Sequence, residues 1–366
     1  MDKIHQVFFT LLRLGLWKNS TESFSIFPLK ELEWEKLFAL SIQQAVEGII
    51  FNSFSKLSPN DLPSKALLLK WTVRVDSIER YNQTIQNNTK KLAKLYNQNQ
   101  VSFFLLKGYS LGRLYDTPNL RSSGDIDLYF PKISCFKSAN QLIQSKNILV
   151  EKGSLKSSFF TLNNTVVEHH VKLFDILNPF CSQYLANLIK EENKNSIQLS
   201  IDEVTVPTIS YLLAHIQTNA HILKHYLGYG IGIRQFCDLA RLYYHSKNSI
   251  DSNQLMEIYK KLKIYNWVDD VNQFLVKYIG LEPQYLPFEY NQNTNTNIDW
   301  LLNDILQAGN FGLLDMHTQQ DNSIILKDGR NNKLFKQVVP HLFKASKKAP
   351  IEAALFPFIK INDLLF

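Results

Sequence analysis

The sequence predicts an α+β protein in which a small mixed sheet with helices is flanked by helical regions on both sides. Three observations support this class: apolar residues recur at helical spacing up to about residue 98, short alternating strands and a turn follow, and helical spacing returns from residue 207. We therefore divide the 366-residue chain into an N-terminal helical region over 1–98, an α/β core over 99–206 and a C-terminal helical domain over 207–366.

The N-terminal region is predicted to end in one long helix over residues 64–97. Its inward-facing side carries apolar and aromatic residues at intervals of three or four positions, among them Leu67, Trp71, Val75, Ile78, Ile85 and Leu92. The second half of this helix is otherwise polar, which indicates a helix that docks on a sheet with one side exposed to solvent.

The core is predicted to open with a buried strand over Val101–Leu106, which stops at Lys107-Gly108. A short helical pattern follows and ends before Pro118, because a proline disfavours the helical conformation at the residue that precedes it. The next strand alternates, so that Asp125 and Asp127 point to one side and its apolar residues point to the other.

This pair of carboxylates is the central chemical feature of the sequence. Two acidic side chains two residues apart on a strand share a face and repel each other unless a cation lies between them. Oxygen ligands at this spacing suit Mg²⁺, which binds one or two carboxylates together with water and phosphate oxygens. Lys107 and Arg121 flank the pair and are predicted to neutralise phosphate charge or, alternatively, to form salt bridges with Asp125.

A hairpin is predicted after the next helix. The segment SSFFTL is joined to TVVEHHVKLF by Asn163-Asn164, and asparagine tolerates the positive φ that a type I′ turn requires. On the second strand Val167 and His169 lie on one side, whereas Glu168 and His170 lie on the other. His170 is predicted to orient a ligand, bind phosphate or accept a proton, and His169 is predicted to be structural.

An ordered set of motifs surrounds the two carboxylates: Leu106-Lys107-Gly108, Leu114-Tyr115, Pro118, Arg121 and Asp125-Ile126-Asp127-Leu128. An isolated Asp-x-Asp motif would also fit a solvated acidic turn, but the ordered set is more specific. It resembles an uncharacterised bacterial nucleotidyltransferase family of the DNA polymerase β-like superfamily. The resemblance implies a polymerase β-like nucleotidyltransferase core between the two helical regions.

The resemblance also implies a reaction and residue roles. The reaction is transfer of a nucleoside monophosphate from a nucleoside triphosphate such as ATP to a hydroxyl acceptor, with Mg²⁺ or Mn²⁺ as cofactor and release of pyrophosphate. Glu168 takes the place of a third acidic residue, or else is an exposed salt-bridging glutamate. The residues assigned to catalysis and to the metal are Asp125, Asp127 and Glu168. The residues assigned to nucleotide and phosphate binding are Lys107, Gly108, Ser110, Arg121 and His170.

Two other functions stay open. One is a binding protein that has kept the fold without activity, and the other is a metal phosphohydrolase that uses His170, His221 and His225 with the carboxylates. His221 and His225 are four residues apart, which suits zinc only when a third ligand joins them. If Asp127 belongs to a metal cluster, Asp127→Asn is expected to leave the metal-free protein equally or more stable, because like-charge repulsion falls.

Composition and charge limit the partners and the cellular compartment that the sequence predicts. A net charge of +7 permits an anionic partner such as RNA without demanding one, and three widely spaced cysteines predict free thiols in the reducing cytoplasm. No apolar stretch reaches the length of about 18 residues that predicts a transmembrane helix, and the apolar C-terminal end is predicted to dock on the protein body. Residues 291–297 are predicted to form a loop and residues 327–337 a solvated basic surface. The base, the oligomeric state and the acceptor (a small molecule, a protein or an RNA) are not specified by the sequence.

Overall fold

The computed structural model describes residues 1–23, 25–153, 157–228, 230–289, 298–309 and 339–365 of the chain. A seven-stranded mixed sheet lies among helices from both ends of the chain. This arrangement confirms the predicted α+β class with helical flanks. The loop predicted at 291–297 and the basic surface predicted at 327–337 lie outside the described residues.

In the described part of the N-terminal region the α-helices are α1 (Lys3–Leu16), α2 (Glu31–Gln43), α3 (Glu47–Asn52) and α4 (Lys65–Gln98). Helix α4 matches the predicted long helix to within one residue at each end. It begins where the Ser64 hydroxyl accepts a hydrogen bond from the Leu67 backbone N–H, which satisfies one of the otherwise unpaired donors of the first turn. Its residue Trp71 is fully buried and packs edge-on against Trp34 and Phe54.

The sheet has the strand order β3-β4-β5-β2-β1-β7-β6. Its strands are β1 (Phe104–Leu105), β2 (Ile126–Tyr129), β3 (Glu151–Lys152), β4 (Ser157–Leu162), β5 (Thr165–His170), β6 (Ile197–Ile201) and β7 (Val204–Thr208). The pairs β2–β5 and β1–β7 are parallel, and the other four pairs are antiparallel. The α-helices described between these strands are α5 (Tyr109–Gly112), α6 (Ile133–Gln144) and α7 (Ser182–Glu192).

The side chains of β2 alternate between two hydrophobic clusters. Ile126 and Leu128 belong to a cluster formed with the second half of α4 and with α6. Tyr129 belongs to a larger cluster that joins helices from the N-terminal and C-terminal regions. Asp127 has the same parity along the strand as Tyr129, so its carboxylate faces the side that these two helical regions cover.

The predicted hairpin is confirmed. Strand β4 ends at Leu162 and β5 begins at Thr165, and both turn residues take positive φ values, 46° at Asn163 and 60° at Asn164. The Asn88 side chain of α4 donates to the Leu162 carbonyl at 2.9 Å, which fastens the turn to the long helix.

Two predicted boundaries are wrong. The strand predicted over Val101–Leu106 is reduced to Phe104–Leu105. Pro207, predicted to open the last helical region, lies inside β7 opposite Gln198. The segment VTVPT alternates buried and less buried residues, and this strand pattern extends through the proline. The helix that follows begins only at Tyr211, with Ser210 as its N-cap.

The C-terminal region continues the larger cluster. Its helices are α8 (Tyr211–Leu227), α9 (Ile233–Ser246), α10 (Ser252–Leu262), α11 (Tyr265–Phe274), α12 (Asp299–Ala308) and a C-terminal helix (Pro350–Leu365). Residues 339–346 are also helical. The C-terminal helix buries Ala353 and Phe356 against the protein body, as predicted for the apolar end. Over the described parts of the chain, no helix combines the length and the apolar character that crossing a membrane requires.

Short helical turns complete the described elements. They are the 3₁₀ segments Ser53–Lys56, Pro59–Asp61, Pro118–Leu120, Pro179–Cys181, Asn193–Asn195, Lys247–Ser249 and Pro283–Tyr285, and the π-helical turn Leu275–Ile279.

Helix α8 buries a histidine that makes stability depend on pH. His215 stacks on Tyr243, and its Nε2 lies 2.7 Å from Ser246 Oγ. Burial lowers the pKa of His215 to about 3, whereas the same group in an unfolded chain titrates near pH 6.5. Between these values the unfolded state binds the additional proton, so stability decreases as the pH falls.

We expect this histidine to remove about 2 kcal/mol of unfolding free energy between pH 7.5 and pH 5.0. Urea unfolding of the wild type and of His215→Gln at both pH values measures the effect. The variant should lose about 2 kcal/mol less than the wild type over this interval. The other histidines titrate in both proteins and cancel in the comparison. Equal losses in the two proteins would contradict the prediction.

Candidate active site

Two carboxylates from neighbouring strands meet on the helix-covered face of the sheet. Strands β2 and β5 are parallel, and their register places Asp127 opposite Glu168. Residues directly opposite each other on neighbouring strands point to the same face, so both carboxylates project to the same side. The structure therefore brings together two acidic residues that are 41 positions apart in the chain.

Asp125 stands one residue before β2 begins. Its side chain lines the same cavity as Asp127 and Glu168. The negative charge of Asp127, together with burial, raises the pKa of Asp125 above its ordinary value, while the Lys107 charge acts in the opposite direction. The repulsion expected between the two aspartates is therefore present in the structure.

Asp127 is balanced by two cationic groups. Its side chain is only 1% exposed, and its two oxygens lie 2.9 Å from Lys107 Nζ and 2.9 Å from His170 Nε2. Burial alone would raise the pKa of Asp127, but Lys107 and His170 hold it well below its usual range. For Lys107, burial disfavours the ammonium, yet the charges of Asp127 and Asp125 raise its pKa above the ordinary value. Asp127 is thus ionised and Lys107 is protonated.

His170 contacts the carboxylates of both Asp127 and Glu168. Its Nε2 lies 2.9 Å from Asp127 Oδ1 and 3.2 Å from Glu168 Oε2. Although burial favours the neutral ring, hydrogen bonds to the two carboxylates raise the pKa of His170 to about 9. The ring is therefore an imidazolium at neutral pH, and its Nε2–H donates to the carboxylates. His169, on the other side of the strand, is buried against Tyr96 and Asn140, consistent with the predicted structural role.

The donor set fits a divalent cation. One ligand atom from each of Asp127, Glu168 and His170 lies within 4.8 Å of the others, and this is the only such cluster of three among the residues that the structure describes. Three carboxylates, counting Asp125, lie in this part of the cavity, and such a concentration of acidic groups attracts a cation. Carboxylate oxygens suit Mg²⁺ and Mn²⁺. Asp125, Asp127 and Glu168 supply the oxygen ligands of this set, and His170 Nε2 lies within 3.2 Å of two of these carboxylates.

Gly108 forms the bend beside the carboxylates. Its φ is 69° with ψ at −109°, a conformation that residues with a Cβ rarely adopt. A Cβ at this position would lie 3.3 Å from the Asp125 carbonyl oxygen. The glycine therefore allows the chain after Lys107 to turn closely past the residue that carries the first carboxylate.

Two residues assigned to phosphate binding have partners within the protein. The Ser110 hydroxyl donates to the Leu106 carbonyl at 2.6 Å, and its side chain lines a small neighbouring pocket. Arg121 is 3% exposed and donates from Nε and Nη2 to the two oxygens of Asp238 at 2.6 and 2.7 Å. Its Nη1 donates to Ser123 Oγ. The alternative predicted partner of Arg121 was Asp125, and the observed one is Asp238 of α9.

Asp125, Asp127 and Glu168 line a cavity of about 870 Å³. A second group of polar residues lines the same cavity. It consists of Asp175, in the segment after β5, and of Lys224 with the histidine pair His221 and His225 of α8. His221 Nδ1 lies 3.2 Å from Asp175 Oδ2, and Lys224 Nζ donates to Asp175 Oδ1 at 2.8 Å.

Sequence reasoning missed Asp175 because its partner lies 46 positions away and no local pattern links them. The His221–His225 spacing was the available signal, and it was weighed for a zinc site and for a metal phosphohydrolase. The two rings pack edge to face with centroids 4.2 Å apart. Neither histidine belongs to the metal-ligand cluster that the described residues form.

Comparison with known proteins agrees with this geometry. A family model described as an uncharacterised nucleotidyltransferase matches residues 30–271, a range that includes both groups of polar residues around the cavity. No curated protein and no solved structure matches the chain.

Proposed function

The chain belongs to the uncharacterised nucleotidyltransferase family, and on this premise we propose that it transfers a nucleoside monophosphate from a nucleoside triphosphate to a hydroxyl acceptor, with Mg²⁺ or Mn²⁺ bound and pyrophosphate released. The observation that supports this proposal most is the pairing of Asp127 with Glu168 across two parallel strands, beside Asp125 and next to a positively charged lysine.

Asp125, Asp127 and Glu168 would hold the metal. When bound, the divalent ion supplies positive charge that stabilises the phosphate oxygens during transfer. His170 keeps Asp127 and Glu168 oriented, because its ring N–H lies within 3.2 Å of both carboxylates. The buried position of Asp127 excludes water from one side of this group.

Lys107 and Gly108 are the proposed phosphate-binding residues. The Lys107 side chain is 22% exposed and lines the cavity, so its ammonium can contact an anionic ligand while it stays near Asp127. Gly108 leaves room for phosphate oxygens to approach the backbone. Arg121 and Ser110 enter the proposal as positioning residues, because Asp238 and the Leu106 carbonyl accept their hydrogen bonds.

The proposal is tested with Glu168→Gln. The side chain of Glu168 is 41% exposed, so the change should leave the fold intact while it removes one carboxylate from the metal site. We expect transfer from α-labelled ATP, followed as pyrophosphate release in MgCl₂ or MnCl₂, to fall on the order of 10²-fold or more. The thermal stabilisation that Mg²⁺ with ATP gives the wild type should disappear.

Glu151→Gln, at an exposed residue of β3, is the matched control and should behave as the wild type. Nucleotide binding without any transfer in the wild type would favour the inactive binding protein instead. The phosphohydrolase alternative requires one metal site that unites His170, His221 and His225, and the described residues do not form that cluster.

A further inference from the structure

The pair Asp175 and His221 occupies the same cavity as the carboxylates but does not belong to the metal-ligand cluster. The His221 side chain is 12% exposed, so it is largely held by its surroundings while part of it reaches the cavity. Lys107 links the two groups. Its Nζ lies 2.9 Å from Asp127 Oδ2, and its positive charge also lowers the pKa of His221 and of His225.

The hydrogen bond to Asp175 determines which ring nitrogen of His221 carries the proton. The carboxylate of Asp175 is ionised, because His221 and Lys224 hold its pKa well below the ordinary value although burial alone would raise it. An ionised carboxylate can only accept hydrogen bonds, so His221 Nδ1 must be the N–H donor. In the neutral ring the lone pair then resides on Nε2.

The ring is neutral at physiological pH. Burial, together with the charge of Lys107, lowers the pKa of His221 to about 4, although the hydrogen bond to Asp175 acts in the opposite direction. Within the described residues no hydrogen bond involves His221 Nε2, whereas Nδ1 has its acceptor. Nε2 is therefore the unprotonated nitrogen of a side chain that lines the cavity.

A neutral nitrogen with a lone pair suits a hydroxyl group and does not suit a phosphate oxygen. A hydroxyl can donate its proton to the lone pair, whereas an anionic oxygen would be repelled by it. This chemistry separates the two parts of the cavity. The carboxylates and Lys107 suit the metal-bound triphosphate, and the Asp175–His221 pair suits the acceptor.

We propose that His221 is the general base that accepts the proton of the acceptor hydroxyl through Nε2, and that Asp175 is the positioning residue that fixes the ring. This inference rests on the proposed function. As the acceptor oxygen forms its bond to the α-phosphorus, its proton moves to Nε2. The bond between the α-phosphorus and the oxygen that bridges to the β-phosphorus breaks, and pyrophosphate leaves with that electron pair. Asp175 stabilises the imidazolium that results.

The segment that carries Asp175 is anchored from two sides. Lys172 Nζ donates to the Ile176 carbonyl at 2.7 Å. The Glu352 carboxylate of the C-terminal helix accepts hydrogen bonds from the backbone N–H groups of Leu177 at 2.8 Å and Asn178 at 3.0 Å. Such anchoring holds the carboxylate of Asp175 in place for its role beside His221.

The first test measures the tautomer and requires no turnover. In ¹⁵N-histidine-labelled protein at pH 7.5, long-range ¹H–¹⁵N correlations assigned with His221→Gln should show a neutral His221 ring with the proton on Nδ1. Asp175→Asn should shift the proton toward Nε2, because an asparagine amide can donate to Nδ1. A proton on Nε2 in the wild type, whether in the neutral ring or in an imidazolium, would overturn the inference.

The second test measures transfer from Mg²⁺-ATP to ethanol and to the more acidic trifluoroethanol, with the alkyl ester of AMP as the product. His221→Gln should lose on the order of 10²-fold with ethanol and less with trifluoroethanol, because an acidic hydroxyl needs less help from a base. The thermal shift with Mg²⁺-ATP should stay as in the wild type. His5→Gln on α1 is the matched control and should retain full activity.

The two possible failures are distinguishable. A wild type that forms no product beyond the level of Asp127→Asn would overturn the proposed function, and this inference with it. An active wild type with equal losses in both alcohols for His221→Gln, or with a lost nucleotide-dependent thermal shift, would overturn the general-base role alone.

Discussion

Asp127→Asn is expected to reduce nucleotidyl transfer by on the order of 10³-fold or more, because it removes the carboxylate at the centre of the proposed metal site. Asp127 is 1% exposed and lies opposite Glu168, with Lys107 and His170 both within 2.9 Å of its oxygens. The asparagine has the same shape but cannot balance these cations. Stabilisation by Mg²⁺ with ATP should be lost together with activity.

The same substitution should lower the stability of the metal-free protein by about 2 kcal/mol. From the sequence alone, equal or higher stability was expected, because the aspartates repel each other. The contacts reverse that expectation: repulsion from Asp125 is relieved, but Lys107 and His170 lose the buried anion that both of them contact. The loss of two charge-assisted contacts to a buried carboxylate outweighs the relief of this repulsion.

Three measurements check this result: pyrophosphate release, the thermal shift with Mg²⁺ and ATP, and urea unfolding without metal. Asp76→Asn, at an exposed residue of α4 that pairs with Arg80, is the matched control and should change neither activity nor stability appreciably. An Asp127→Asn protein that retains transfer within tenfold of the wild type would exclude Asp127 from the metal site.

Arg121→Met is expected to destabilise the protein by about 3–5 kcal/mol, the largest stability effect that we anticipate. Arg121 and Asp238 are 3% and 6% exposed and form a bidentate ion pair. Tyr115 Oη also donates to Asp238 Oδ1 at 2.7 Å. Without the guanidinium, the buried carboxylate loses two charge-assisted hydrogen bonds and keeps the hydrogen bond from Tyr115.

A double-mutant cycle separates this coupling from the loss of side-chain packing. Arg121→Met and Asp238→Leu should each cost several kcal/mol, and the double variant should cost clearly less than their sum, because the guanidinium and the carboxylate that pair with each other are then removed together. Urea unfolding measures all four proteins. Arg80→Ala, at a residue that is 78% exposed, should stay within about 0.5 kcal/mol of the wild type. Strict additivity would show that the pair is not coupled.

Local patterns predicted the elements whose determinants lie close together in the chain. Helix α4 was predicted from the spacing of its apolar residues, and the β4–β5 hairpin from the two asparagines of its turn. The face assignment of Glu168 followed from strand alternation, and the register of β5 with β2 agrees with it. In each case the determining interactions span only a few residues.

Contacts between distant segments could not be predicted in this way. Arg121 has a cationic side chain beside a predicted phosphate site, yet its partner is 117 positions away on α9. His170 was expected to contact phosphate, but its ring is already shared by two carboxylates. Long-range packing determines these partners, and one sequence carries no record of which helix face will cover which strand.

The hydrogen bonds from Leu177 and Asn178 to Glu352 also bear on how the protein is made. The acceptor lies 175 positions after Leu177, so during synthesis both β2 and β5 leave the ribosome long before it. Until Glu352 emerges, these two amides lack their carboxylate, and the loop with Asp175 is without one of its anchors. In newly synthesised chains the loop with Asp175 should therefore become fully anchored only after Glu352 has been synthesised.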